Sequence, residues 1–378
     1  MPMSGGKRGA IAAALLIMLV LPLGAARASD WLVNRTNRGV VELETGTANS
    51  LSPGMAAEIA DLLDDGATRR IVTVVGEGSW QNLVDLKALR GIDLAIVQTD
   101  ALDYARRQNL IPALDTLQYV TRLYNEEFHL LAGRDIKSIE DLAGKKVNFG
   151  AQGDGTGVTA ARIFSALGIA IKPTNDPTSR ALVQLERGQI AALAFVSAKP
   201  APVFRDLDAS AGLHFLSIPA KPAITALYAP TQLTAKDYPQ LIAPDRPVDT
   251  AAVGTVLLAA RLTPGSLRYR NLVNFVDAFF TQFQSLLAPG HEAKWHEVNL
   301  AADLPGWTRF APAQQWLRSN APAPAVATGA TPQNIRVMFE RFLDERLHAT
   351  GTVLSQQQKD ALYDLFAQFR SWQAGKAH

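Results

Sequence analysis

Between residues 40 and 228 the apolar positions switch repeatedly between two periods. The short runs Ile71-Val72-Thr73-Val74-Val75, Asp93-Leu94-Ala95-Ile96-Val97, Lys146-Val147-Asn148-Phe149, Ala194-Phe195-Val196 and Phe215-Leu216-Ser217-Ile218 predict strands. Between them lie helical stretches, one of which puts Met55, Ile59, Leu62 and Leu63 on a single face. Strands alternating with helices predict an α/β architecture with largely parallel sheets. Three helix starts are marked: Ser52-Pro53, Ser79 before a helix over 80–90, and Thr99 before a helix over 100–108. Each follows a strand or loop. In open α/β sheets ligands bind where strand carboxyl ends meet helix starts, whose unpaired N–H groups suit an anion.

Further along, Leu272, Phe275, Val276, Phe279, Phe280 and Phe283 form an apolar stripe that predicts a core helix. A Pro/Ala/Gly-rich linker follows over 319–330, and a helical hairpin is expected over 331–375. Thr331-Pro332 opens its first helix, and Ser355-Gln356-Gln357-Gln358 carries the capping-box pattern at the second. The hairpin faces would be Ile335, Met338, Phe339, Phe342 and Leu343 against Leu362, Leu365, Phe366 and Phe369. An isolated hairpin would leave both stripes wet, so the main body, a partner or a second copy should cover them.

At the N-terminus, Lys7 and Arg8 precede an apolar run that ends in Ala26-Arg27-Ala28. This order predicts a secretory signal peptide over 1–28, cleaved after Ala28, for a soluble periplasmic product. The run falls short of the roughly 20 apolar residues of a spanning helix, the competing reading. The chain has 378 residues and a formal charge of +2; losing Lys7, Arg8 and Arg27 brings that to −1, and no nucleic-acid partner is expected. With no cysteine, disulfides, thiolate nucleophiles and thiolate metal sites are excluded.

The catalytic signals are weak. The run from Gly150 through Gln152, Gly153 and Gly155 to Gly157 sits between a strand and a helix, as a phosphate loop would, but lacks Gly-Lys-Thr/Ser, and Val158 stands where a dinucleotide fingerprint needs glycine. A small carboxylate held by backbone N–H groups and the Thr156 hydroxyl fits the loop better. His291 and His296 are five apart, on different faces of a helix, so the run around them is expected to be exposed charge and not a metal site. No Gly-x-Ser-x-Gly elbow occurs. Enzymatic activity, a resident cofactor and a metal are therefore not expected.

Several stretches, taken in order, resemble one family: Thr45-Gly46-Thr47-Ala48-Asn49-Ser50-Leu51-Ser52-Pro53-Gly54, Asp93-Leu94-Ala95-Ile96-Val97-Gln98-Thr99-Asp100, Leu123-Tyr124-Asn125-Glu126-Glu127-Phe128-His129, Asp141-Leu142-Ala143-Gly144-Lys145-Lys146-Val147-Asn148-Phe149-Gly150, Gly153-Asp154-Gly155-Thr156 and Ile190-Ala191-Ala192-Leu193-Ala194-Phe195-Val196. Over about 40–318 the chain resembles the TAXI-type solute-binding subunits of TRAP transporters. The resemblance implies a type II periplasmic binding fold, in which two α/β lobes close on a solute about a hinge. Lobe 1 would take 30–131 and 227–318, and lobe 2 would take 132–226, with crossings near 130–133 and 224–228.

The resemblance further implies a small carboxylate-bearing solute, an amino acid or a dicarboxylate, passed to the membrane subunits of a TRAP-type transporter. Its contacts would come from Thr47, Asn49, Ser50, Gln98 and Thr99 on one lobe, and from Gly155, Thr156, Val196 and Ser197 on the other. Glu126 would accept a hydrogen bond from a solute amine, or else pair with a base such as Arg122. Asp154 stands where the family has serine, so it points away from a bound anion or the solute carries an amine. The competing function is a sensory or scaffold protein on the same fold, acting through its C-terminal hairpin.

Overall fold

The computed structural model describes residues 32–33, 35–207, 212–320, 339 and 355–375. The stretch expected to be a signal peptide, nearly all of the expected linker and most of the expected first hairpin helix lie outside the described residues. Two compact units emerge, residues 1–319 and 320–378.

In the first unit the strands are β1 (Val40–Thr45), β2 (Arg70–Val75), β3 (Ile92–Gln98), β4 (Gln118–Ala132), β5 (Lys146–Asn148), β6 (Lys172–Thr174), β7 (Ala192–Ser197), β8 (His214–Phe215), β9 (Ala229–Leu233) and β10 (Val248–Ala259). Its helices are α1 (Ser52–Leu63), α2 (Ser79–Ala88), α3 (Thr99–Arg107), α4 (Thr156–Leu167), α5 (Thr178–Glu186), α6 (Pro202–Arg205), α7 (Pro222–Thr225), α8 (Leu267–Gln282) and α9 (Ala311–Asn320). The α/β reading of the sequence holds: one mixed sheet runs β2-β1-β3-β10-β4-β7-β5-β6, with β8 beside β4 and β9 beside β10. Strands β1, β2 and β3 are parallel, as are β5, β6 and β7, while β4 and β10 run antiparallel to their neighbours.

Each end of the sheet has a core on both faces. In β3, Leu94 and Ile96 face a core shared with Met55, Ile59, Phe275 and Phe279 of α1 and α8, whereas Ala95 and Val97 face Leu83, Leu86 and Leu102 of α2 and α3. In β7, Ala194 and Val196 meet Ile163 and Phe164 of α4, while Leu193 and Phe195 meet Ala181 and Leu185 of α5. Burial on both faces explains why these strands read as continuous apolar runs. The Phe275–Phe283 stripe is buried, as expected of a core helix.

Strands β4 and β10 serve both ends. In β4, Val120 and Tyr124 pack with α1 and α8, whereas Phe128 and Leu130 pack with α4. In β10, Ala251 and Val253 belong to the α4 side, and Val256 and Leu258 to the side of α2 and α3. The two strands pair with each other along the way, Glu126 opposite Val253 and Glu127 opposite Ala252.

In the second unit, α10 spans Gln356–Gly375. Its start has the expected capping box: Ser355 Oγ accepts from the Gln358 amide, and the Ser355 amide donates to Gln358 Oε1. Phe339 stacks on Phe366 with ring centroids 4.7 Å apart. Leu362 and Leu365 of the expected stripe are exposed. Among the described residues no helix is long and apolar enough to cross a membrane.

Candidate functional site

The two parallel strand sets aim their carboxyl ends at each other. From one end of the sheet come the loop after β1, the Gly76–Gly78 turn before α2, and Gln98 at the end of β3; from the other come the loop before α4 and the end of β7. They meet around a small polar cavity lined by Gly46, Thr47, Ser50, Ser52, Gly78, Ser79, Ile96, Gln98, Glu126, Asp154, Val196 and Thr255. It leaves about 20 Å³ for the centre of a water-sized sphere, room for one water. Among the described residues no aromatic side chain lines it.

Of the residues read from the sequence, Thr47, Ser50, Gln98, Glu126 and Val196 line this cavity, whereas Asn49, Thr99, Gly155, Thr156 and Ser197 do not. Thr156 stands behind the wall, its hydroxyl accepting the Val196 N–H at 3.0 Å. The Ser197 hydroxyl accepts the Leu51 N–H across the seam at 3.3 Å. Gly155 packs on Gln98: a Cβ at that position would sit 2.0 Å from Gln98 Oε1, so only glycine lets the loop approach. Asn49 and Thr99 are half-buried at the helix starts.

Sequence reasoning missed Ser52, Ser79 and Thr255 as wall residues and took the first two for caps. No side-chain cap bond forms in α1 or α2. Instead Ser52 Oγ accepts the Gly46 N–H at 2.8 Å, and Ser79 Oγ accepts the Gln98 N–H at 2.9 Å, each hydroxyl tying a strand end to a helix start. Gly78, at φ 123°, passes so close to the opposite loop that a Cβ would meet Asp154 Cα at 2.8 Å.

The electrostatics are dominated by buried carboxyls. Gln98 Nε2 donates to Glu126 Oε2 at 2.7 Å, so Gln98 takes the place expected of a base such as Arg122. Burial pushes Glu126 up to about 8, against the Gln98 hydrogen bond and Lys294, with Asp154 and Glu127 adding to the rise. Burial likewise moves Asp154 up to about 6, opposed by the Thr156 amide and hydroxyl. Asp154 Oδ1 takes the Thr156 N–H at 2.9 Å, so the donor expected to hold a solute carboxylate already has an acceptor.

Further bonds join the two ends of the sheet. The Gln81 N–H donates to the Gly153 carbonyl at 3.1 Å. Asp100 Oδ2 accepts from the Thr159 hydroxyl at 2.7 Å and from the Tyr228 hydroxyl at 2.8 Å, and burial raises its pKa against both bonds. Beside β4 the exposed-charge expectation for residues 291–297 holds at His291, His296 and Glu297 and fails at Lys294. Lys294 is buried, with its Nζ 2.7 Å from Glu127 and 2.7 Å from Glu297, and Trp295 is fully buried. Of the two carboxylates that hold this ammonium, the buried one comes from β4, remote in sequence.

A second, larger space of about 800 Å³ opens beside the cavity, walled by Trp80, Tyr104, Leu110, Phe149, Val158, Leu227 and others, and Asp154 lines both.

Among solved structures the chain is similar to the alkanesulfonate-binding protein SsuA from Xanthomonas axonopodis pv. citri bound to MOPS, at 16% identity over 82% of this chain and 94% of that one, with a TM-score of 0.43. It is also similar to the periplasmic aliphatic sulphonate binding protein SsuA from Escherichia coli, at 17% identity over 81% and 88% with a TM-score of 0.40. The periplasmic binding protein BugD matches at 12% identity over 74% and 93%, with a TM-score of 0.47. The sequence model of one family covers residues 45–288, well over half of the chain, and on that match the chain belongs to the NMT1-like family.

Proposed function

We propose that this protein is a non-enzymatic, exported solute receptor of the periplasm whose two lobes shut on a small molecule. The supporting observation is the facing of two sets of strand carboxyl ends across a polar seam, with β4 and β10 shared by the cores on both sides. The hinge is proposed within β4 and β10 near Glu126–Glu127 and Ala252–Val253, which moves 127–131 and 227–252 of the expected lobe 1 into lobe 2, because Leu130, Tyr228, Leu233 and Tyr238 pack in the two cores that flank β7. The conformation described is the closed one, and solute enters when these strands flex. Of the two solute classes implied by the resemblance, an amino acid fits better than a dicarboxylate, because the wall sets the acceptors of Glu126, Asp154 and Gln98 together and, among the described residues, has no lysine or arginine to meet a second acid. Delivery to TRAP-type membrane subunits follows the ordered motifs.

A panel of amino acids and organic acids tests this reading on the chain from residue 29 onward. At least one should raise the melting temperature by mass action and reduce the radius of gyration in small-angle scattering. A panel that moves neither quantity sinks it. Deleting residues 331–378 should leave solute affinity unchanged; a scaffold acting through its hairpin would instead lose a partner and show no solute response.

A further inference from the structure

The donors and acceptors along the seam are unequally used. The Leu51, Gln81 and Thr156 N–H groups at the helix starts are taken by Ser197 Oγ, the Gly153 carbonyl and Asp154 Oδ1. Two wall hydroxyls are taken too: Ser50 donates to the Thr47 carbonyl at 2.7 Å, and Thr255 to the Tyr124 carbonyl at 2.7 Å. On the acceptor side, Gln98 Oε1 lies buried in the cavity wall without a hydrogen-bond partner, in a residue only 4% exposed. Beside it stand the carboxyls of Glu126 and Asp154, and among the described residues neither lysine nor arginine lines the cavity. A buried acceptor without a donor is costly, and such an acceptor beside two carboxyls that each use one oxygen within the protein calls for a guest that brings N–H groups.

Asp154 gives that guest a direction, since it borders both the one-water cavity and the groove. The groove has the volume of a small-molecule pocket and a mainly apolar wall, in which Tyr104, Leu110 and Leu227 stay about 40% exposed or more. Its cation, Arg162, is answered within the protein: its Nη1 is 3.9 Å from Asp103, and its guanidinium lies over the Tyr228 ring.

We propose that the cleft anchors its solute through a primary ammonium group seated among Glu126, Asp154 and Gln98 Oε1, with an apolar body extending into the groove beside Trp80, Tyr104 and Leu110. This rests on the receptor reading and narrows it: the recognised group is the amine, and a carboxylate is dispensable. An ammonium occupies about the volume of one water and carries three donors for the three acceptor groups, and its charge favours release of the proton that burial keeps on Glu126 in the solute-free protein. The apolar body is held by loss of water from the groove.

Isothermal titration with matched probes decides it. 2-Phenylethylamine should bind, 3-phenylpropanoate should not, and ethylamine should bind at least tenfold more weakly than 2-phenylethylamine. Glu126→Gln and Asp154→Asn should each weaken 2-phenylethylamine at least tenfold while melting cooperatively, and Trp80→Ala should shrink its advantage over ethylamine. If 3-phenylpropanoate or succinate binds and the amines do not, the ammonium anchor is wrong while the receptor reading stands. The anchor is equally wrong if both carboxyl variants bind the amine as the parent does. If no amine, acid or amino acid binds, both readings fall.

Discussion

Glu126 shows how a single buried residue makes stability depend on pH. Its carboxyl keeps its proton up to about 8 in the folded protein, against an ordinary value of 4.5. Between those limits the folded state binds more protons than the unfolded one, so stability falls as pH rises from about 4.5 to about 8. At about 1.4 kcal/mol per unit, the loss is on the order of a few kcal/mol. Glu44, pushed up to about 8 by burial with Asp85 nearby, and Asp154 add to the same trend. Urea unfolding at pH 5 and pH 8 should show this decline in the parent and a smaller one in Glu126→Gln; equal slopes would contradict it. Lys294 makes the opposite case. Removing it as Lys294→Ala strands the Glu127 carboxylate and should cost about 3–5 kcal/mol, read as a lower urea midpoint. Pairing Lys294→Met with Glu127→Gln should recover much of that loss, because the uncompensated charge is gone. Neither residue's role was legible locally: Lys294 sits in a run of His and Glu that reads as solvated, and its partner Glu127 lies 167 positions away. Ser52 and Ser79 were visible as helix-start hydroxyls, but the atoms they meet, the Gly46 and Gln98 amides, lie at strand ends that only the folded chain brings beside them.

At the scale of elements, the short strands were legible because β-branched runs bounded by glycine or polar residues leave little choice. The expected runs at 71–75 and 93–97 fall within β2 and β3, and that at 194–196 within β7. The long strands were harder to read. Strand β4 carries Arg122, Asn125, Glu126, Glu127 and His129 among its apolar residues, which breaks any simple period. Its polar groups are matched by tertiary partners instead: the fully buried His129 meets the Tyr238 hydroxyl at 2.7 Å, and Glu127 meets Lys294. Strand β10 has Ala251, Ala252 and Gly254 in a row of weak strand formers broken only by Val253, so its first half reads weakly until it is paired on both edges. Helices α3 and α4 meet through Asp100, Thr159 and Tyr228. Tyr228→Phe removes one hydrogen bond to a buried carboxyl, worth about 1.5–3 kcal/mol if the carboxyl is charged. If those bonds hold the lobes together, scattering from the variant should shift to a larger radius of gyration; an unchanged radius would place the bond within one lobe's motion.

At the scale of the molecule, the α/β character was legible from the alternation of periods, and the facing of strand ends from helix starts that follow strands. What the alternation could not reveal is the order of the strands, because pairing between distant segments leaves no local trace. The sheet passes from one side to the other through antiparallel neighbours, so everything between Glu127 and Ala252 leaves and returns at adjacent points. That whole stretch is one uninterrupted loop-out from a hairpin. Replaced by a tight two-residue turn, it would leave β1, β2 and β3 with cores of their own, a miniature in which half of the cleft wall is open to water.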